Sequence, residues 1–163
     1  MAPRLLPALA LAALVAAPGA GAATPVTLRL TSYTTVTQIH DRAPRNKPNK
    51  GDSIDFKDLL VATGDQLGKK KGKPVGYDAG TVLYTSATTQ KIEGVTTFPG
   101  YGTVTFAGEM KERKDGTVHV PIVRGTGSFK GAKGTLIIGK GDNKAPNTYV
   151  LRLPHALCAP GCA

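Results

Sequence analysis

A glycine-rich segment, GTGSFKGAKGT (residues 125–135), carries the residue types that hold phosphate groups in nucleotide-binding proteins. In such loops the glycines let backbone N–H groups approach the phosphate oxygens. The spacing here does not fit. Lys130 occupies the place of the third glycine of the kinase and dinucleotide loops, and Lys133 precedes Gly134, whereas the Walker pattern places its lysine after the last glycine. We therefore do not predict a nucleotide site in this segment.

The same glycines are better interpreted as structural residues. Gly125 and Gly127 are placed to end a strand with a sharp change of direction. Gly131 and Gly134 allow close backbone packing before the next strand begins. Phe129, the apolar residue between them, is expected to turn inward and plug one end of a β-barrel.

Two cysteines, Cys158 and Cys162, lie in the C-terminal sequence CAPGCA. The Pro160-Gly161 turn would bring their sulfurs together, so we predict a disulfide that pins the tail, residues 155–163. Linkage to a partner chain is the alternative. The three histidines show no metal-ligand spacing, and neither a metal nor a cofactor is predicted.

The first 22 residues have the pattern of a secretory signal peptide. Arg4 precedes an apolar run at residues 5–17, and Ala20-Gly21-Ala22 supplies small residues at the cleavage position. The run is too short to span a bilayer. We predict a secreted protein cleaved after residue 22. The alternative is an uncleaved membrane anchor.

The remaining chain shows few helix signals and many β-branched residues, glycines and turn pairs. In YGTVTFAGEM, for example, Val104, Phe106 and Met110 share one strand face. Eight strands are predicted, at residues 26–37, 54–62, 75–86, 90–98, 102–111, 117–124, 133–140 and 147–153. Pro121 should introduce an irregularity in the sixth. This pattern favours a single barrel or sandwich domain at residues 23–154.

The formal net charge of +10 is concentrated in two basic runs, residues 42–50 and 69–73. Such runs usually lie in solvated loops. The functional alternative is electrostatic binding of an anionic polymer. No nucleic-acid partner is predicted, because the aromatic residues are not interleaved with the cations and the chain is exported.

The segment RGTGSFKGAKGTLIIG (124–139) resembles the glycine signature of the allene oxide cyclase and dirigent barrel families. The segments 51–60, 68–85 and 101–110 resemble further parts of these families in the same order. The resemblance covers most of the mature chain. It implies an eight-stranded antiparallel β-barrel with an apolar cavity, and homotrimers such as the plant members form.

The resemblance does not carry over the working residues of the plant cyclases. Their first-strand glutamate falls on Thr34 or Thr35, and their cavity cysteine and tyrosine fall on Val82 and Met110. A hydroxyl group cannot replace a carboxylate that stabilises a developing cation by its charge. Jasmonate-type cyclisation is therefore not predicted.

Dirigent proteins orient and protonate phenolic intermediates with cavity acids, and the resemblance makes Asp58 and Asp78 the candidates here. If Val82 points inward, strand alternation places Asp78 on the same face. An acid in an apolar cavity has a raised pKa and can exchange protons near neutral pH. The structural alternative is that each acid caps a strand end and meets water or a lysine.

These interpretations lead to a secreted barrel that binds a small apolar or aromatic molecule and guides its cyclisation or coupling. The predicted cavity residues are Thr34, Val82, Tyr84, Phe106 and Met110. One alternative is a non-enzymatic surface or matrix protein that binds anionic polymers through its basic loops. Another is an isomerase or lyase that uses residues outside the resemblance.

Overall fold

A computed structural model of the chain describes residues 23–42, 44, 47–141 and 143–158. All eight predicted strands are present, and every predicted end lies within three residues of the observed one. The strands are β1 (Thr24–His40), β2 (Ser53–Ala62), β3 (Pro74–Tyr84), β4 (Gln90–Phe98), β5 (Gly102–Met110), β6 (Val118–Gly125), β7 (Lys133–Ile138) and β8 (Lys144–Leu153). A short 3-10 helix, Gly127–Phe129, separates β6 from β7. Within the described ranges, no helix is long and apolar enough to cross a membrane.

The strands form one closed barrel in chain order. Each pairs antiparallel with the next, and β8 returns to pair with β1 from Thr24↔Leu153 to Tyr33↔Lys144. The predicted eight-stranded antiparallel β-barrel is therefore confirmed. Because neighbouring strands alternate in direction, the β1–β2, β3–β4, β5–β6 and β7–β8 loops lie at one end, called the open end below. The other three loops lie at the closed end.

Aromatic side chains fill the closed end. Phe129 is fully buried, and its ring centroid lies 5.2 Å from that of Phe98. Phe98 also meets the buried ring of Tyr149 edge-on at 5.8 Å. Phe129 can reach this position because the backbone before it bends sharply: Gly127 has φ +57°, and a Cβ at Gly125 would lie 1.9 Å from the Phe129 carbonyl oxygen.

The remaining glycines of the segment serve the following turn and strand. Gly131 has φ +77° in the turn after Phe129, and Gly134, in β7, approaches the Val150 carbonyl oxygen so closely that a Cβ would lie 2.0 Å from it. The β5–β6 register shifts between Phe106↔Ile122 and Thr105↔Arg124 and skips Val123, two residues after Pro121.

The tail beyond β8 folds back onto the closed end. The Ser128 hydroxyl donates a hydrogen bond to the Cys158 carbonyl oxygen over 3.0 Å, and Leu157 packs against the core. Cys162 and residues 1–22, the predicted signal peptide, lie outside the described residues. The disulfide and the cleavage site therefore stay predictions.

Candidate functional site in the barrel lumen

A cavity of about 260 Å³ opens inside the barrel toward the open end and is called the lumen below. Most of its lining is apolar, and a polar arc runs across the inner faces of β8, β1, β2 and β3. The apolar residues are Ile54, Phe56, Val82, Ile92, Phe106, Met110, Leu136, Ile138 and Ala145. The polar arc comprises Asn147, Ser32, Asp58 and Asp78, and Thr34 and Thr37 also line the lumen. A lumen with this division suits a small ligand that has one apolar face and one polar edge.

The structure brings most of the predicted site residues together. Those that line the lumen are Thr34, Asp58, Asp78, Val82, Phe106 and Met110. Tyr84, which strand alternation placed on the same face, does not line it. Tyr84 is the last residue of β3 and lines a separate recess at the rim, with Ile39 and Asp52. Alternation sets the face of a strand, but the last residue of a strand can lie beyond the cavity.

Asp58 and Asp78 are direct cross-strand partners on β2 and β3, which places their side chains next to each other on the inner face. The Ser32 hydroxyl donates a 2.6 Å hydrogen bond to Asp58 Oδ2. None of the ion pairs among the described residues involves either acid. Both acids lie within their strands and line the lumen, so the structure does not place them at strand ends beside a lysine.

Burial, and after it the neighbouring Asp58 carboxylate, raise the pKa of Asp78 to about 7. Asp78 is only 2% exposed, so water stabilises its charged form poorly. Near neutral pH this carboxyl group exists in both protonation states. It can therefore give a proton to a ligand or accept one from it.

Two buried hydroxyl groups support the acid from beneath. Thr96 Oγ1 and the Tyr149 hydroxyl lie 2.7 Å apart, and the Tyr149 hydroxyl donates a long hydrogen bond of 3.4 Å to Asp78 Oδ2. Burial raises the pKa of Tyr149 well above its ordinary value, and the Asp78 charge adds to the effect. Tyr149 thus stays neutral and acts as a fixed donor at the lumen floor.

Sequence reasoning missed Ser32, Thr96, Asn147 and Tyr149. The strand pattern of NTYVLRL contained a usable signal, because Asn147 and Tyr149 share parity with the buried Leu151. Among the described residues, no three His, Cys, Asp or Glu side chains come together as a metal site would require.

Several solved structures share this architecture, whereas no protein-family model and no curated protein sequence matches the chain. A pyocyanin demethylase superposes with a TM-score of 0.64 at 22% identity, covering 77% of this chain and 99% of its own. A pterocarpan synthase dirigent protein gives 0.63 at 15% identity, over 90% and 98%. The fold is the allene oxide cyclase and dirigent-like β-barrel.

A heme-binding cyclase of neoabyssomicin biosynthesis shares this dirigent-like barrel as well. Its TM-score is 0.61 at 18% identity, and the match covers 86% of this chain and 68% of the cyclase. Identities this low establish the barrel alone. The chemistry of this chain must be argued from its own lumen.

Proposed function

We propose that the protein is a secreted barrel that binds a small apolar or aromatic molecule in its lumen and guides the cyclisation or coupling of that molecule. The observation that carries this proposal is the acid pair, Asp58 and Asp78, set side by side in the lining of a largely apolar cavity. The dirigent and cyclase neighbours support the same class of activity. The signal-peptide pattern of residues 1–22 supports secretion.

The proposed mechanism combines confinement with proton transfer. The apolar lining, which includes Phe106 and Met110, holds a flexible ligand in one conformation. This removes much of the entropic barrier to ring closure or coupling. Protonated Asp78 gives its proton to the intermediate where negative charge develops. Burial, together with the neighbouring Asp58 carboxylate that Ser32 holds in place, raises the pKa of Asp78 to about 7 and so keeps this proton available near neutral pH.

Filling the lumen should weaken ligand binding. Val82→Phe adds a ring to the inner wall, and we expect an aromatic probe such as 2-naphthol to bind roughly tenfold to a hundredfold more weakly, because overpacking a site of this kind costs about 1–3 kcal/mol. Fluorescence titration measures the change. Val95→Phe is the matched control, because Val95 lies on the outer face and is 40% exposed. Equal binding by both variants would place the ligand outside the lumen.

Replacing Asp78 with asparagine should leave ligand binding in the lumen intact and stop the proposed cyclisation or coupling. Native mass spectrometry of the protein purified from its own host would identify the species held in the wild type. In the Asp78→Asn protein we expect the unreacted ligand to accumulate, because an amide cannot supply the proton. Asp41→Asn, which changes an exposed acid, should trap the same species as the wild type. Identical species in all three proteins would contradict a catalytic role for Asp78.

Cations at the open end favour a second candidate function, non-enzymatic binding of an anionic polymer. The described cations of the open-end loops are Arg42, Lys47, Lys50, Lys111, Arg113, Lys114 and Lys140. The other basic run, residues 69–73, follows β2 and lies at the closed end, so the two runs do not form one surface. A polymer ligand would dissociate with added salt and would not respond to Val82→Phe. The homotrimer stays a prediction.

A further inference from the structure

Three acceptor oxygens in the polar arc have no hydrogen-bond donor among the described residues. They are Asp58 Oδ1, Asp78 Oδ1 and Asn147 Oδ1, and all three are buried. Folded proteins leave few such atoms unpaired, so each one calls for a specific explanation. The three residues line one wall of the same lumen, which points to a common cause.

A proton held by the protein itself can satisfy some of these three acceptors, but not all of them. A single proton shared between Asp58 and Asp78 would satisfy the carboxyl pair. It cannot reach Asn147, which lies on β8 and is separated from Asp58 by the whole of β1. The amide oxygen of Asn147 does not titrate and can only accept a hydrogen bond. At least one acceptor in the arc therefore needs a donor from outside the chain.

We infer that the lumen selects ligands carrying hydroxyl or amine donors along the edge that faces Asp58, Asp78 and Asn147. This inference rests on the proposed function and defines its substrate class. Apart from Thr34 and Thr37, the rest of the lining is mainly apolar, so the rest of the ligand is a hydrocarbon face. A volume of about 260 Å³ is just below the range of about 300–1,000 Å³ typical of drug-sized ligands, which limits the ligand to one or two rings.

Matched aromatic probes test the selection. 2-Naphthol and 2-methylnaphthalene have the same ring system and similar size, but only the first can donate a hydrogen bond. 2-Methoxynaphthalene keeps the oxygen and lacks the donor. We expect 2-naphthol to bind roughly tenfold to a hundredfold more tightly than either of the others, the range for a hydrogen bond to a charged acceptor. Calorimetric or fluorescence titration gives the three dissociation constants.

A variant locates the acceptor. Asn147→Leu removes the amide oxygen with little change in size and should reduce the preference for 2-naphthol by roughly threefold to tenfold. Asn143→Leu makes the same change at an exposed position of the β7–β8 loop and should leave the preference unchanged. Thermal denaturation of both variants checks that they fold.

The outcomes separate the inference from the proposed function. If the three probes bind within about twofold of one another and Val82→Phe weakens them all, the donor preference is wrong and the lumen site stands. Ordered waters, together with a proton shared by the acid pair, would then satisfy the arc. If no probe binds, or binding ignores Val82→Phe, the lumen site fails and the inference fails with it.

Discussion

Asp78→Asn is expected to change the free energy of unfolding in a pH-dependent way. Its effect should be more stabilising at pH 8 than at pH 4, by about 4 kcal/mol. The Asp78 carboxyl has a pKa of about 7 in the fold against an ordinary value of 3.8, and this difference corresponds to about 4 kcal/mol at about 1.4 kcal/mol per pKa unit. Between these two pH values the folded state holds a proton that the unfolded state releases. Wild-type stability from this group is therefore fully present below pH 4 and is lost as the pH rises through 7.

Urea denaturation of the wild type and of Asp78→Asn across pH 4–9 measures the effect. Asparagine has the shape of the neutral acid and no charge to bury, so the difference between the two proteins isolates this one group. Asp58→Asn provides a diagnostic comparison. It removes the charge that, after burial, raises the pKa of Asp78, so the inflection in this variant should lie at a lower pH than in the wild type. Asp41→Asn, at an exposed position, should follow the wild type.

A constant difference between wild type and Asp78→Asn across this pH range would show that Asp78 titrates normally. The proposed proton donor would then be lost, because an acid that is fully ionised at neutral pH has no proton to give. This result would leave the lumen as a binding site alone.

The barrel could be predicted from the sequence because its signals are local. Alternation in strands such as β5 shows the inner face without knowledge of any partner, and turn residues mark the ends. The same local rule placed Asp78 and Val82 on one face, and both line the lumen. It failed for Tyr84, because alternation does not report how far along the barrel axis the cavity extends.

Asp58 and Asp78 were each predicted as cavity acids, but their direct pairing could not be derived from the sequence. Asp58 and Asp78 are twenty residues apart, and only the register of β2 against β3 makes them neighbours. A shift of that register by one residue would send one of them to the outer face. Ser32 reaches Asp58 from the neighbouring strand β1, whereas Tyr149 comes from β8, at the other end of the chain, and reaches Asp78 only because the barrel closes. Closure, more than any motif, assembles this site.

Phe129→Ala is expected to destabilise the protein by about 3–5 kcal/mol, the cost of removing a fully buried phenylalanine and leaving a cavity. Phe129 closes the end of the barrel against Phe98, so few groups are free to collapse into the space. Urea denaturation measures the loss. Tyr77→Ala removes a ring from the outer face, where Tyr77 is 40% exposed, and should cost about 1 kcal/mol or less.

Gly125→Ala tests the same closure through the backbone. Its Cβ would lie 1.9 Å from the Phe129 carbonyl oxygen, so the segment must move and Phe129 must leave its position. If both residues act by seating this one ring, the double variant should be less destabilised than the sum of the single variants, because the ring can be lost only once. Additive losses of stability in the double variant would mean that Gly125 and Phe129 serve separate purposes. A Phe129→Ala loss below about 1 kcal/mol would mean that the barrel does not depend on its aromatic closure.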